Sequence, residues 1–181
     1  MFRLFFISFI ILFISSCENK KNGTSFQKTN IQNIHFEIPE TFSLKKSKSE
    51  DMVVYDIFSN GKSIGSIYFG SYYEPFHENY SITVEKEIYD KGKVNGEKIF
   101  LSDNAQRDYK NGIFNENYYY LDTINNKVGQ IMLPKRSSKG LVGIYFDSID
   151  IHKNKFAIIS TDLSEHNKKI FLKIFKTIKI E

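Results

Sequence analysis

Residues 52–70, MVVYDIFSNGKSIGSIYFG, decide the fold of this chain more clearly than any other stretch. Two runs rich in β-branched and aromatic residues, 52–59 and 62–70, flank the pair Asn60 and Gly61. Asn-Gly favours a two-residue type I′ turn, because both central residues of that turn adopt positive φ. The stretch therefore predicts a β-hairpin.

Further strands are predicted on both sides of this hairpin. Residues 34–39 alternate apolar and polar side chains up to Pro39, and they open the folded domain. We expect three more strands at 98–101, 115–122 and 130–133, and a second hairpin formed by residues 140–152 and 155–161. The basic run of Lys45, Lys46 and Lys48 is expected to lie in a solvated turn.

Two segments have helical spacing. Residues 82–91 predict a helix capped by Ser81, because Val84 and Ile88 share a helical face. Asp162 and Glu165 form a capping pattern before a second helix, whose apolar face contains Leu163, Ile170, Phe171 and Ile174. A last strand follows at 176–180. These elements predict an α+β domain in which an antiparallel sheet is covered by one or two helices.

The N-terminal residues have the order of a secretory signal peptide. Arg3 precedes an eleven-residue run, 4–14, in which only Ser8 is polar. A spanning helix needs about 20 apolar residues, so this run is too short to cross a bilayer, whereas it suits the apolar core of a signal peptide. The run is followed by small residues and by Cys17, the only cysteine of the chain.

Residues 14–17, ISSC, resemble the bacterial lipobox. The resemblance implies cleavage after Ser16 and acylation of Cys17. Two or more acyl chains anchor a protein stably, so the expected location is the bacterial cell envelope, on the outer membrane or the periplasmic face of a membrane. We expect residues 1–16 to be the signal peptide, 17–33 to be the lipidated cysteine with a flexible tether, and 34–181 to be one domain.

The composition limits the partners. Removal of Arg3 with the signal peptide leaves 24 of the 25 basic residues against 21 acidic ones, a net charge of +3. That charge is too small to favour nucleic acid. The expected partners are the lipid bilayer, through acylated Cys17, and a protein.

Tyrosines form the most unusual surface-prone segments. Tyr118 and Tyr120 alternate with Tyr119 and Leu121 along a predicted strand, so one of these rows is expected to be core and the other exposed. Aromatic side chains are enriched where proteins meet partners. The candidate partner-binding residues are Tyr72, Tyr73, Tyr118 and Tyr120.

No motif for catalysis or metal binding is complete. Gly61-Lys62-Ser63 resembles the end of a phosphate-binding loop but lies in a predicted hairpin turn. The cluster of Glu74, His77 and Glu78 lacks the spacing of a zinc protease. We expect no catalytic residues, no metal and no cofactor. Thr123 and Ser148 lie in Asp-Thr-Ile and Asp-Ser-Ile, which resemble an O-glycosylation sequon of Bacteroidetes-type bacteria.

From His35 onward the order of elements resembles the PsbP-like αβα-sandwich domain. The marks are Phe36 to Pro39 at the start, the hairpin, a mid-chain helix, and a final strand, helix and strand that end at 175–180, FKTIKI. The resemblance implies binding or assembly and no enzymatic activity. The favoured function is a membrane-anchored, non-enzymatic binding or accessory module. Two alternatives stay open: a periplasmic immunity lipoprotein that neutralises a toxin, and a hydrolase whose site is assembled from residues distant in sequence.

Overall fold

The structure, a computed structural model, describes residues 24–137 and 139–181. The predicted signal peptide and the predicted acylation site at Cys17 lie outside these residues. The described part is a mixed α+β fold with mostly antiparallel sheets and three helices. In chain order its elements are β1 (Phe26–Ile31), β2 (Ile34–Pro39), β3 (Phe42–Ser47), β4 (Val53–Ser59), β5 (Lys62–Gly70), β6 (Ser81–Thr83), α1 (Lys86–Asn95), β7 (Ile99–Leu101), α2 (Ala105–Lys110), β8 (Asn117–Ile124), β9 (Lys127–Pro134), β10 (Val142–Phe146), β11 (Lys155–Ser160), α3 (Glu165–Thr177) and β12 (Lys179–Ile180).

The largest sheet has seven antiparallel strands in the order β3-β4-β5-β11-β10-β9-β8. The predicted hairpin is confirmed as β4 and β5, with φ of 51° at Asn60 and 77° at Gly61. The second predicted hairpin is confirmed as β10 and β11. Strand β8 is shifted by two residues from its predicted position, and β9 is longer than predicted. The reason is the tight turn at Asn125 and Asn126, because the two strands stay paired up to that turn.

One face of this sheet, which we call the inner face, carries the hydrophobic core. A row of directly paired residues crosses six strands on this face, and it consists of Tyr55, Ile67, Ile158, Ile144, Ile131 and Tyr120. Helix α3 and strand β2 cover the middle of the row, whose four isoleucines belong to one cluster of buried apolar side chains. Tyr55 is partly buried against this cluster, and Tyr120 is exposed at the end of the row. The opposite face is called the outer face below.

Helix α3 has the predicted apolar stripe except for Leu163, which precedes the helix. Ile170, Phe171 and Ile174 are buried, together with Phe175, and the Phe171 ring lies 6.2 Å from that of Phe42. The predicted cap is wrong: the hydroxyl of Ser164 accepts the backbone N–H of Asn167, whereas Asp162 accepts the N–H of Ser164. Helix α3 therefore begins at Glu165, three residues after the predicted cap.

The predicted tether is wrong from Phe26 onward. Residues 26–31 form β1, which pairs with β2 along its whole length, and Ile31 is buried in the core. The sequence of β1 is mostly polar because only one side of the strand packs on apolar groups. Its backbone N–H and C=O groups pair with those of β2. Strand β12 pairs with the other edge of β2 and completes a three-stranded sheet.

The region between β5 and β8 departs from prediction. Helix α1 begins at Lys86 instead of residue 82, because Ser81 belongs to β6, which pairs in parallel with β7. Glu85 holds the cap position without a side-chain capping bond. Helix α2 was not predicted. Its cap is the side chain of Asn104, which accepts the N–H of Arg107.

The basic run near residue 46 lies in a strand and not in a turn. Lys45 and Lys46 belong to β3, where they pair with Asp56 and Tyr55 of β4, and Lys48 follows the strand. Strand β3 is an edge of the seven-stranded sheet. Exposed lysines on an edge strand oppose the addition of a further strand.

Candidate binding cleft on the outer face

Residues 71–80, SYYEPFHENY, cross the outer face of the sheet, and we call this segment the strap. Its centre is fixed by Gln130 of β9, whose side-chain amide donates to the carbonyl of Phe76 at 3.0 Å and accepts the Phe76 N–H at 2.7 Å. The ring of Phe76 lies directly on β10. A Cβ atom at Gly143 would come within 2.8 Å of that ring, so the glycine makes room for it.

Aromatic rings hold the first half of the strap. Tyr73 contacts Tyr68 of β5 at a centroid distance of 4.7 Å and Tyr145 of β10 at 6.1 Å. Phe76 meets Tyr73 edge-on at 6.3 Å and Tyr145 at 6.1 Å. Pairs in this distance range add stability beyond the area they bury. The outer face is therefore covered at its centre by a small aromatic cluster.

Glu78 joins the second half of the strap to the start of β8. One oxygen, Oε1, accepts four hydrogen bonds at 2.8–3.1 Å: from the backbone N–H groups of Glu116 and Asn117, from Asn117 Nδ2 and from the hydroxyl of Tyr119. Asn117 is 5% exposed, and its Oδ1 accepts the N–H of Leu141 at 2.7 Å. Asn117 thus connects the strap, β8 and the segment before β10.

These contacts set the protonation of the site. Burial opposes ionisation of Glu78, but the hydrogen bonds from Asn117, Tyr119 and Glu116 outweigh it and hold the pKa of Glu78 below its ordinary value. Burial, reinforced by the negative charge of Glu78, raises the pKa of Tyr119. Burial also raises the pKa of Tyr73 and of Tyr145. At neutral pH the site therefore contains a carboxylate among neutral phenols.

A cleft that is open to solvent lies between the strap and the sheet, and its volume is about 540 Å³. Apolar groups from both sides line it, among them Phe76, Met132 and Ile159. Three carboxylates, Glu74, Glu78 and Glu116, also contribute, and no Lys or Arg is present among the described lining residues. Glu116 is partly compensated by Lys98, whose Nζ lies 3.3 Å from it. The cleft combines an apolar interior with acidic groups.

The four candidate tyrosines do not form one patch. Tyr73 lines the cleft, and Tyr72 is 68% exposed beside it in the chain. Tyr118 and Tyr120 pair with Leu133 and Ile131, which contribute to the core, so they lie on the inner-face side of β8. They are 58% and 44% exposed because β8 is an edge strand.

The expectation that one row of β8 is core is wrong. Besides the exposed Tyr118 and Tyr120, the alternate row contains a half-buried Tyr119 and an exposed Leu121. Neither row is fully buried, because among residues 24–137 and 139–181 no further strand and no helix covers the edge strand along its length.

The groups that organise the cleft escape sequence reasoning. Phe76, Asn117 and Gln130 are 13 to 54 positions apart in the chain, and no local pattern links them. The compact run of Glu74, His77 and Glu78 was the one available signal. The structure separates the roles within it, since Glu78 is tied to β8, whereas His77 is exposed and its Nδ1 lies 3.1 Å from the carbonyl of Pro75.

Other sequence features have simple placements. Thr123 and Ser148 are both exposed, and Ser148 has a φ of 52°. Within residues 24–137 and 139–181, no three His, Cys, Asp or Glu side chains are grouped so that they could hold a metal ion. In the same part of the chain, no helix has the length and apolarity needed to span a bilayer.

Comparison with models of known protein families and with curated proteins gives no match for this chain.

Proposed function

We propose that this chain is a lipid-anchored protein of the bacterial envelope whose domain is a non-enzymatic binding or accessory module, with the outer-face cleft as its binding surface. The observation that carries the proposal is the cleft between the strap and the sheet. Binding sites in proteins are concave and mostly apolar, and a few placed polar groups fix the orientation of the ligand. The aromatic cluster and the carboxylates supply both features.

The charge of the cleft indicates the kind of partner. Carboxylates near aromatic rings suit a basic side chain, because the charged group can pair with a carboxylate while its aliphatic stem lies along the rings. The partner in this proposal is a protein that presents a Lys or Arg side chain to the cleft.

Two further parts of the proposal rest on sequence resemblance. The lipobox at residues 14–17 supports acylation of Cys17. The PsbP-like assignment is supported by the α+β class and by the final order of β11, α3 and β12. Binding and assembly roles agree with such a module.

The anchor is tested by Cys17→Ser. The variant should remain an uncleaved precursor and incorporate no labelled palmitate, while the natural chain matures and is labelled. If the variant still matures and takes up the label, the lipobox assignment fails.

The binding surface is tested by a photo-reactive residue introduced at His77, which is exposed, lines the cleft and is not one of its carboxylates. In intact cells this variant should cross-link to one defined protein. The same photo-reactive residue at His152, an exposed histidine outside the cleft, is the matched control and should give no such product. Ile159→Arg places a cation in the cleft and should abolish the cross-link. Equal products from both positions would refute the cleft as the binding surface.

The identity of the cross-linked protein also separates the functional classes. A secreted toxin as the captured protein would establish the immunity alternative instead of an accessory role. Turnover of ester, peptide or glycan substrates by the purified protein would establish the hydrolase alternative.

A further inference from the structure

The outward side of α3 is basic. Lys169, Lys173 and Lys176 follow one another at spacings of four and three residues, and all three are exposed. Residues four and three apart lie on one side of a helix. The side of α3 that packs on the sheet is formed by Ile170, Phe171, Ile174 and Phe175. The three lysines therefore point away from the core, on the side of the molecule opposite to the cleft.

The described chain begins beside this surface. Thr24 and Ser25 share a surface depression with His166 and Ile170 of α3. The Nζ of Lys173 lies 3.9 Å from the centre of the Phe26 ring, at the first residue of β1. Lys28, two residues further along β1, is exposed as well. The N-terminal segment thus joins the domain at the lysine side of α3.

Four glutamates lie near these lysines, and two of them, Glu165 and Glu181, are paired with a basic side chain. Glu165 pairs with Lys168, and Glu37 lies opposite Lys28 in the pairing of β1 and β2. Glu40 is exposed, and its backbone N–H bonds to the carbonyl of Ser25. Glu181 lies 3.4 Å from His35. In the described part of the chain, no carboxylate forms an ion pair with Lys169, Lys173 or Lys176, so their charges are available to a partner.

The length of the segment before β1 limits how the domain can stand on a membrane. Nine residues, 17–25, separate the predicted anchor from Phe26. Whatever their conformation, they span at most about 30 Å at ~3.3–3.6 Å per residue. A domain of this size has a radius of gyration of roughly 15 Å and hence a diameter of about 40 Å. The segment is shorter than the domain is wide, so the far side of the domain cannot turn to the bilayer.

We propose that the lysine side of α3, with Lys169, Lys173, Lys176 and Lys28, lies against anionic phospholipid headgroups, and that the cleft consequently faces away from the bilayer. The inference rests on the proposed acylation of Cys17. Basic residues close to an anionic leaflet are attracted to it, and the attraction falls off within about a Debye length, ~8–10 Å at physiological salt. A short anchor at the side of α3 allows the lysines to come within that range, and the attraction of the headgroups then holds them there.

The test uses the full chain purified from membranes and placed in vesicles. Its mass first reports whether Cys17 carries acyl chains. A fluorophore is then attached to a single new cysteine, either His166→Cys on the lysine side or Tyr72→Cys beside the cleft, both of which replace exposed residues. Quenching by phosphatidylcholine with a nitroxide on its headgroup measures how close each probe lies to the bilayer.

In vesicles of phosphatidylcholine and phosphatidylglycerol, the probe at position 166 should be quenched severalfold more than the probe at position 72. The triple variant K169Q/K173Q/K176Q, or high salt, should lower the quenching at position 166 and so reduce that difference. The matched triple K86Q/K91Q/K110Q removes three exposed lysines from α1 and α2. It should leave the difference in quenching between positions 166 and 72 unchanged.

Each contrary result has one meaning. Acylated protein with equal quenching at both positions, or with quenching that does not depend on phosphatidylglycerol, overturns the inference and leaves the anchor intact. Protein without acyl chains removes the anchor and this inference together.

Discussion

Two neighbouring rows of the same sheet have opposite chemistry. On the inner face the row from β4 to β8 reads Tyr55, Ile67, Ile158, Ile144, Ile131 and Tyr120, and on the outer face the adjacent row reads Asp56, Ser66, Ile159, Gly143, Met132 and Tyr119. The middle of the inner row is apolar and covered by α3, and only its end at Tyr120 is exposed. The outer row is mixed and is covered at its centre by the strap.

The difference between the two rows indicates that the inner face provides most of the stability and that the outer face is the one suited to binding. Burial of apolar area is the dominant favourable term in folding, and the inner face has most of it. The strap instead depends on one small aromatic cluster and on a few hydrogen bonds with Gln130 and Asn117, each of which contributes modestly. A surface held in this way can open or adapt without unfolding the domain.

The largest expected effect is on the inner face. Phe171 is fully buried between Phe42 and Phe175, so Phe171→Ala should lower the free energy of unfolding by about 3–5 kcal/mol, through lost transfer energy and the cavity left behind. Lys169→Ala, on the outward side of the same helix, should change it by less than about 0.5 kcal/mol. Denaturant unfolding measures both, and a harmless Phe171→Ala would contradict this packing.

An intermediate effect is expected at the junction of the strap with β8. Asn117→Ala removes the Nδ2 donor to Glu78 and leaves the N–H of Leu141 without its acceptor, so we expect a loss of about 1–3 kcal/mol. Asn30→Ala, at an exposed position of β1, is the matched control and should be nearly neutral. Equal denaturation midpoints for the two variants would mean that Asn117 does not organise the cleft.

The smallest effect concerns pH. The pKa of Glu78 is lower in the folded protein than its ordinary value of 4.5, so its contribution to stability is complete above that pH and is lost as the pH falls through the folded value. The glutamine of Glu78→Gln has no carboxyl group and does not titrate in this pH range. The natural chain should therefore be more stable than the variant at neutral pH, and the difference should shrink below pH 4.5. A difference that stays constant with pH would exclude an ionised Glu78 as the link to β8.

The inner face could be predicted from sequence because its signals are local. Asn60-Gly61 sets a turn within two residues, and the spacing of Ile170, Phe171 and Ile174 sets a helical face within five. Strand β1 could not be predicted in this way, because its polar sequence is stabilised by pairing with β2 and not by its own periodicity. The predicted tether therefore included a strand.

The cleft could be predicted only in part, because it too depends on segments that are distant in the chain. Of the four candidate tyrosines Tyr73 lines the cleft, whereas Tyr118 and Tyr120 lie on the inner-face side of β8. Which side of a strand meets a distant segment depends on the register of the whole sheet, and a shift by one residue exchanges the two faces. Local alternation in β8 could not decide it.

Hydrogen exchange of the native protein, followed by mass spectrometry, tests the contrast between the two faces most directly. The account predicts that amides of β10, β11 and α3 exchange only through global unfolding, whereas amides of the strap, residues 71–80, exchange through local opening at a much lower free energy. Equal free energies of exchange for the strap and for α3 would contradict it, because the outer covering would then be as integral to the fold as the core.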